Sequence, residues 1–348
     1  MARYTLGLFA NMYPASEEDT FGIFIRRMVD DLEKNDVRVI KAVKTSRSPL
    51  AYSTFYLQSL RNVLRGDIDI LQAEYIPHSS IIPALLKRDT PLVLKFHGTD
   101  GFIYPFKNRV YMAMIQYMLR RADYVITCSE ALKNNLISIG ADPERISAIA
   151  NGIDTQGFHP LNRKDCRFSF KLPADSSVFL FVGRLHPFKG IHEILETAKI
   201  NPEITFVLAG PGKIPPHPPN CIFTGPVDPS RVPLLMNAAD CLILPSYSEG
   251  LGLVLAESLA CGVPVIASNV GGSPEVVRHM ETGLLIPSHD ITALSDAVRW
   301  ITGHPLEKEE MGRVGRLDMI QRYDRRALIK ELMGIHLELI NKSRLNRE

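Results

Sequence analysis

Short apolar runs alternate with longer amphipathic runs along almost the whole of this 348-residue chain. This alternation constrains the fold more than any other feature, because strands separated by helices form βαβ units, and such units build parallel sheets. The runs that predict strands lie at 5–10, 37–42, 68–73, 92–97, 124–128, 146–151, 178–183, 205–209, 221–224, 241–245 and 264–268. Helices are predicted at 22–34, 108–121 and 325–340. The pattern therefore predicts an α/β protein with two parallel sheets.

The length exceeds the usual size of a single hydrophobic core, so two domains are expected. Residues 154–168 are polar, carry Gly157 and Pro160 and show no clear periodicity, and we interpret them as the interdomain linker. The predicted N-terminal, acceptor-side domain comprises residues 1–158 together with a C-terminal helix, 325–348. The predicted donor-binding domain comprises residues 159–324.

Composition excludes several classes of protein. A net charge of +2 argues against a dedicated nucleic-acid-binding protein. The five cysteines are widely spaced and form no CxxC pair, which predicts buried free thiols in a reducing cytoplasm rather than disulfides or a zinc site. The first ten residues favour a strand over a signal peptide, and no apolar run reaches the ~18 residues of a membrane-spanning helix.

Ligands of parallel sheets bind beyond the carboxyl ends of the strands, and one such end is especially informative. The loop at 246–252 follows a predicted strand and contains Glu249, Gly250, Leu251 and Gly252, and a helix that carries Glu257 follows it. The glycines allow close backbone approach, and the free N–H groups of the helix start can bind an anion. The two carboxylates can accept hydrogen bonds from hydroxyl groups, as on a ligand with a sugar at one end and a ribose at the other.

Other interpretations of the two glutamates stay open at this point. Glu249 can simply favour the helix start by its charge, and Glu257 can be a solvated surface residue. A glycosidase pair is a poor alternative, because such carboxyl groups lie roughly 5–9.5 Å apart. On a regular helix, residues eight positions apart are separated by about 12 Å.

Two cations follow the predicted strand at 178–183. Arg184 offers phosphate a bidentate fork and Lys189 a point charge, although both can also be ordinary surface residues. The segment 210–213 lacks the spacing of a P-loop, and the segment 250–255 matches only half of a dinucleotide fingerprint, which gives little support for NAD.

The first half of the sequence contains fewer candidate ligand-binding residues. His97 and Gly98 end a predicted strand, where a lone histidine is often structural, and Gly22 ends a loop that follows the first strand and can lend backbone N–H groups to an anion. Asp67 and Asp69 form a DxD sequence, but they immediately precede a predicted strand, so we interpret them as marking its start rather than a metal site.

These segments together resemble the retaining glycosyltransferases of family 4, which have the GT-B fold. The most specific segment is 245–275, in which Glu249 and Glu257 have the EX7E spacing and the sequences ACGVPVIA and GGSPE follow. Three further segments, 182–190, 122–129 and 151–158, are similar to the same family in the same order. The resemblance covers nearly the whole chain and implies two Rossmann-like parallel-sheet domains that face a central cleft.

The resemblance implies a role for each candidate residue. Arg184 and Lys189 would bind the donor diphosphate, and Glu257 the ribose hydroxyls. Glu249 would bind hydroxyls of the donor sugar, with backbone N–H groups at Gly250, Leu251 and Gly252. Val227 lies in the segment that would meet the base, and His97 would lie near the donor sugar and the reaction centre. Gly22 would meet the diphosphate, although this chain has Phe21-Gly22 where many relatives have Gly-Gly.

The implied activity is transfer of a sugar from a nucleoside-diphosphate sugar to a glycan, lipid-linked or small hydroxyl acceptor in cell-surface polysaccharide or glycolipid synthesis. The resemblance implies that the reaction needs no cofactor and no metal ion. The alternatives are a GT-B nucleotide-sugar epimerase and a non-catalytic sugar-nucleotide sensor. Residues 38–133 carry 14 Lys or Arg and 7 Asp or Glu, and the aromatic, Met-rich segment 102–121 lies within them. We therefore predict peripheral contact with the inner face of the membrane; the alternative is that the aromatic and Met side chains form the core face of one helix.

Overall fold

The computed structural model describes residues 2–16, 19 and 21–345. It contains two compact units: unit 1 comprises Met1–Asn151 and Arg326–Glu348, and unit 2 comprises Gly152–Arg325. Residues 346–348 of the predicted N-terminal domain, and Glu17, Glu18 and Thr20 of the predicted loop before Gly22, lie outside the described residues.

Unit 1 is built on a six-stranded parallel sheet with the strand order β2-β1-β3-β4-β5-β6. Its strands are β1 (Tyr4–Ala10), β2 (Val37–Val43), β3 (Ile70–Glu74), β4 (Leu92–Phe96), β5 (Tyr124–Thr127) and β6 (Ile146–Ala148). All seven residues of β1 are buried, as expected of a strand inside a parallel sheet that helices cover.

The helices between these strands are α1 (Ile23–Lys34), α2 (Ala51–Val63), α3 (Ile81–Leu86), α4 (Thr99–Phe102), α5 (Tyr104–Lys107), α6 (Arg109–Arg121) and α7 (Glu130–Ser138). In α1 the buried positions are Ile25, Met28, Val29 and Leu32, which is the spacing of one helix face. This face packs with side chains of β1 in the core of the unit.

Unit 2 repeats the architecture with the strand order β12-β11-β10-β7-β8-β9, again all parallel. Its strands are β7 (Val178–Val182), β8 (Thr205–Ala209), β9 (Cys221–Gly225), β10 (Cys241–Leu244), β11 (Val265–Ser268) and β12 (Gly283–Ile286). Its helices are α8 (Arg163–Ser169), α9 (Ile191–Ile200), α10 (Val232–Ala238), α11 (Leu253–Ala260), α12 (Ser273–Val276), α13 (Ile291–Gly303) and α14 (Pro305–Arg322). A last helix, α15 (Arg325–Leu345), belongs largely to unit 1.

The segment interpreted as a linker is ordered within unit 2. Residues 163–169 form α8, because the Asn162 side chain caps the helix by accepting from the N–H groups of Lys164 and Asp165. Nearer to unit 1, the N–H of Ile153 donates to the Tyr323 carbonyl at 2.9 Å. These contacts place the division between the units after Asn151, whereas the predicted domain boundary follows residue 158.

The five cysteines are buried and free. Among residues 2–16, 19 and 21–345, no helix combines the length and apolar character needed to cross a membrane.

Helix α15 joins the core of unit 1 through a buried histidine. Nε2 of His336 lies 2.7 Å from Oε1 of Gln72, and Nδ1 lies 2.8 Å from the hydroxyl of Tyr4. An amide oxygen only accepts, so Nε2 donates and Nδ1 accepts from the tyrosine. Burial, together with the charge of Lys95, lowers the pKa of His336 from 6.5 to about 3, so the ring is neutral in the folded protein.

This neutral histidine predicts a loss of stability in mild acid. Between pH 6.5 and about 3 the unfolded chain binds a proton that the folded protein does not. The contribution of His336 is therefore complete above pH 6.5 and declines below it by up to ~1.4 kcal/mol per pH unit. Urea unfolding at pH 7, 6 and 5 should show a steeper decline for the wild type than for His336→Gln, which is less stable at pH 7. Equal slopes would mean that the ring accepts a proton without unfolding.

Candidate active site

The loops that follow β7 and β10 meet at the carboxyl edge of the sheet of unit 2. Gly190 has a φ of +71°, and a Cβ there would lie 2.1 Å from the carbonyl oxygen of Pro245. The N–H of Tyr247 donates to the carbonyl of Phe188 at 2.9 Å. A glycine is thus required where the two loops touch, and the contact brings together the two segments that carry Lys189 and Glu249.

Lys189 and Glu249 form an ion pair. Nζ of Lys189 lies 2.5 Å from Oε1 of Glu249, and the hydroxyl of Ser246 donates to the same oxygen at 2.7 Å. Glu249 is only 9% exposed, whereas about a third of the Lys189 side chain reaches solvent. The structure thus places a cation that can meet an anion beside a carboxylate that is almost completely buried.

Helix α11 begins directly after this loop. Gly252 caps the helix with a φ of +81°, Leu251 before it is buried, and Gly250 is half-buried. No side chain of the described residues caps this helix start, and the N–H of Leu255 donates to the carbonyl of Gly252. Within this part of the chain, the N–H groups of Leu253 and Val254 therefore remain for a ligand at the carboxyl edge of the sheet. Glu257 is half-buried further along the same helix.

Two other predicted residues lie in neighbouring loops of this edge. Arg184 is exposed in the loop after β7, and Val227 is half-buried in the loop after β9. No direct contact joins either residue to the Lys189–Glu249 pair in the part of the chain that the structure describes. Both are exposed enough to contact a ligand without rearrangement.

A further group of side chains, which no sequence pattern predicts, supports the Glu249 loop. The hydroxyl of Tyr247 donates to Oε1 of Glu193 at 2.7 Å, and its ring lies against that of His289, with centroids 3.6 Å apart and the planes tilted by 31°. Burial and the Glu193 carboxylate raise the pKa of Tyr247 to about 12. The three residues come from α9 and from two separate loops, so no spacing in the sequence could have connected them.

In unit 1, His97 follows β4 and contacts a buried carboxylate. Its Nε2 lies 2.6 Å from Oε2 of Glu74, and its Nδ1 lies 3.2 Å from the amide nitrogen of Asn151. A carboxylate accepts and an amide nitrogen donates, so Nε2 donates to Glu74 and Nδ1 accepts from Asn151. Glu74 is fully buried; burial raises its pKa, but its interactions with His97 and Lys95 outweigh burial and hold the pKa below its usual value.

The turn after β4 is fixed by a second buried carboxylate. Asp100 accepts from the N–H groups of His97 at 2.8 Å, Gly98 at 2.9 Å and Ile76 at 3.1 Å. On the other side, the ring of Phe24 lies 4.7 Å from that of His97. The backbone and the ring of His97 are therefore both held in one orientation.

Gly22 begins α1, the helix that carries Phe24. It has a φ of +76°, and a Cβ there would lie 2.7 Å from the carbonyl oxygen of Met12. The close approach explains the glycine at this position. A ligand contact through its backbone stays a prediction.

Asp67 and Asp69 lie before β3, at the amino edge of the sheet and away from the carboxyl ends. Asp67 pairs with Arg65, and Asp69 accepts from the N–H of Thr5 at 2.8 Å and from Arg344 at 2.9 Å. In the described ranges, no group of three or more His, Cys, Asp or Glu side chains could hold a metal ion.

Comparison with known proteins identifies the class of the fold. Residues 162–318 match the family described as glycosyl transferases group 1, and residues 7–156 match glycosyltransferase family 4. The structure superposes on sucrose-phosphate synthase from Thermosynechococcus elongatus with a TM-score of 0.85 and 22% identity, over 98% of this chain and 100% of that one. It superposes on Anabaena HepE in complex with UDP-glucose with a TM-score of 0.77 and 19% identity, over 95% and 98% of the two chains.

These likenesses show that the two parallel-sheet units have the GT-B fold. The two family matches together extend over nearly the whole sequence, and the chain belongs to the family 4 glycosyltransferases. D-inositol 3-phosphate glycosyltransferase of Mycobacterium tuberculosis strain H37Rv is 34% identical over 199 residues, which are 53% of this chain and 42% of that protein. The match thus spans less than half the length of this curated relative.

Proposed function

We propose that this chain is a retaining glycosyltransferase that moves a sugar from a nucleoside-diphosphate sugar to a hydroxyl group of a glycan, lipid-linked or small acceptor, in the synthesis of a cell-surface polysaccharide or glycolipid. The observation that carries the proposal is the Lys189–Glu249 pair beside the open start of α11. This arrangement combines a cation and backbone donors for a diphosphate with a carboxylate for sugar hydroxyls. Anabaena HepE, which shares the fold, was crystallised with UDP and with UDP-glucose, so UDP-sugars are the first donors to test, and GDP-mannose is the next.

In the proposed mechanism, Arg184, Lys189 and the first N–H groups of α11 bind the diphosphate and stabilise the negative charge that builds on it. The bond from the anomeric carbon to the diphosphate breaks, and the acceptor oxygen bonds to that carbon from the same face. The acceptor proton passes to the leaving phosphate, which yields a free nucleoside diphosphate. Fixed cations and backbone dipoles do the electrostatic work here that a divalent ion does elsewhere, so we propose a metal-independent reaction.

The remaining roles belong to the same proposal. Glu257 binds the ribose, and Val227 lies beside the base. Glu249 and the backbone at Gly250–Gly252 contact the donor sugar. In unit 1, His97 acts at the sugar being transferred and Gly22 at the diphosphate.

Incubation with UDP-glucose, GDP-mannose or ADP-glucose, with and without a panel of acceptors, tests the function. A glycosyltransferase forms a glycoside only when an acceptor is present, retains the anomeric configuration by NMR, and keeps its activity in EDTA. An epimerase converts the donor without an acceptor, and a sensor binds it unchanged. Either of the last two results would overturn the proposal, and loss of activity in EDTA that Mg²⁺ restores would overturn its metal-free mechanism.

Substitutions of Glu257 and Glu249 should have different effects on binding of the free nucleoside diphosphate. Glu257→Ala should weaken calorimetric binding of the free nucleoside diphosphate by about tenfold, the cost of losing a hydrogen bond to a charged group. Glu249→Ala should leave that affinity nearly unchanged or raise it, because Lys189 then loses its carboxylate partner. The Glu249 variant should nevertheless lose transfer. Equal weakening in both variants would show that the two carboxylates have been assigned the wrong roles.

We also propose that an exposed apolar surface of unit 1 contacts an anionic membrane. A groove of about 530 Å³ between α3 and α6 is lined by Leu85, Arg109, Val110 and other residues. Val110 is 67% exposed and Phe106 is 57% exposed. Helix α6 buries only Ile115, Met118 and Leu119, so its core face does not account for Val110. Phe106 lies on the short helix α5, which buries only Pro105.

Vesicle sedimentation tests this contact. The protein should pellet with anionic vesicles at low salt and be released as ionic strength rises, because screening weakens its attraction to the lipid head groups. Val110→Ser together with Phe106→Ser should reduce pelleting. The matched control is Leu306→Ser, which removes an apolar side chain of 77% exposure from unit 2. Absence of pelleting at low salt would contradict the contact.

A further inference from the structure

Six aromatic rings form a continuous series of contacts in unit 1, starting at His97. We call this the ring cluster: Tyr75, Tyr104, Tyr111, His78, Tyr52 and Tyr56. The ring centroids along the series, from the His97–Tyr75 pair onward, are 6.4, 6.1, 5.7, 6.2, 5.3 and 5.7 Å apart. The series thus begins at the histidine assigned to the reaction centre and leads away from it.

The rings gather at the carboxyl edge of the sheet of unit 1 because each lies in a connection that follows a strand of this sheet. Tyr52 and Tyr56 lie on α2 after β2, Tyr75 follows β3, and Tyr104 and Tyr111 lie on α5 and α6 after β4. All six rings of the cluster are half-buried, whereas the core aromatics Phe9, Phe55 and Phe96 are at most 1% exposed. Half-buried tyrosines suit a surface that offers an apolar face and a hydroxyl group to a ligand.

Two lysines border the ring cluster. Nζ of Lys44 lies 4.9 Å from the ring of Tyr52, and Nζ of Lys107 lies 5.3 Å from that of Tyr111. Their charges, after burial itself, lower the pKa of His78 between them. Within residues 2–16, 19 and 21–345 neither lysine forms an ion pair with Asp or Glu, although Lys44 is only 5% exposed and donates to the carbonyl of Ser46 at 2.5 Å.

A buried lysine without a counter-charge is unfavourable unless an anion arrives to pair with it. The same surface has an unused acceptor. Asn11 follows β1, is 7% exposed and lies against the hydroxyl of Tyr52. Its Oδ1 is buried and has no hydrogen-bond partner in the described part of the chain. A ligand hydroxyl would satisfy it.

We propose that the ring cluster is the acceptor subsite and that its ligand is a sugar or cyclic polyol carrying a phosphate group. The C–H face of the ring stacks on the tyrosines, its hydroxyls bond to the tyrosine hydroxyls and to Asn11, and the phosphate pairs with Lys44 and Lys107. The role of this ligand as acceptor rests on the proposed function, whereas its binding to the ring cluster does not. Free sugar phosphates and lipid-linked sugar diphosphates share this chemistry.

Matched pairs of acceptors test the subsite. Glucose 6-phosphate against glucose and inositol 3-phosphate against inositol represent free phosphates, and a short-chain polyprenyl diphosphate sugar represents the lipid-linked source. The phosphorylated member of each pair should have a KM at least tenfold lower, and the better of the two sources identifies the natural form. Equal KM values within each pair, with no use of the lipid-linked sugar, would overturn the inference and leave the transferase proposal intact.

The variants Lys107→Met and Lys44→Met should raise the acceptor KM at least tenfold, with the donor KM unchanged. Arg61→Met, which removes an exposed cation from α2, is the control. Lys107 is exposed, so its variant keeps the test valid even if Lys44→Met folds poorly.

Binding supplies a readout that needs no donor and no turnover. Calorimetry with each phosphorylated probe alone should show binding to the wild type and tenfold weaker binding to Lys107→Met. Binding without transfer would support the subsite and contradict the proposed function. Failure of all the phosphorylated probes to bind the wild type, or equal affinity in the variants, would overturn the subsite.

Discussion

Replacing Lys189 with alanine should lower kcat by about 100-fold or more, the usual cost of losing a group that stabilises charge in the transition state. Arg184→Ala should have an effect of the same size. Both side chains are assigned to the diphosphate, whose negative charge grows as the bond to the sugar breaks. Steady-state kinetics at saturating donor measure the loss in kcat. The matched control is Lys213→Ala, which removes an exposed cation from a neighbouring loop of the same unit.

The two variants should differ in stability. Lys189→Ala leaves Glu249, which is 9% exposed, without its cation. We expect the free energy of unfolding to fall by about 1–2 kcal/mol, which is less than for a fully buried pair because Lys189 is partly solvated. Arg184 is exposed, so its removal should leave Tm nearly unchanged. Near-normal kcat in either variant would remove that residue from the diphosphate site.

The second large effect is expected at Glu74. Glu74→Gln should lower kcat by roughly 100-fold, because an amide can donate to Nε2 of His97 and thereby move the ring proton to Nδ1. We assign Glu74 as a positioning residue, since it acts through His97. The donor KM should change little.

Nitrogen NMR of the His97 ring separates this role from simple loss of stability. The wild type should show the proton on Nε2, and Glu74→Gln should show it on Nδ1. Glu74→Asp, which keeps a carboxylate, should recover part of the activity and the wild-type tautomer. An unchanged tautomer together with an unchanged kcat in Glu74→Gln would contradict the assignment.

The sequence was a reliable guide where periodicity is strong. All eleven predicted strands occur with shifts of a few residues at their ends, because apolar runs between helices have few alternatives to a parallel sheet. Strand β12 was missed since it has four residues and begins with a glycine. The sequence does not predict helix α8, because its polar residues show no periodicity, and Asn162, which caps it, lies in the segment interpreted as a linker.

Site residues could be predicted only where a motif stands directly after a strand. The pairing of Lys189 with Glu249 joins residues 60 positions apart and depends on how two loops meet at Gly190. Glu74 lies one residue beyond the predicted end of its strand, and only the register of β3 with β4 places it near His97. Such contacts follow from tertiary packing, which no local pattern records.

Thermal unfolding with UDP, GDP or ADP tests most directly whether this chain carries a nucleoside-diphosphate site. At 100 times its Kd, the correct diphosphate should stabilise the wild type by ~2.7 kcal/mol and raise Tm accordingly. The matching nucleoside, which lacks the diphosphate, should give a much smaller shift, and Arg184→Ala should lose most of the shift with the diphosphate. If none of the three diphosphates raises Tm of the wild type at millimolar concentration, the central claim is contradicted.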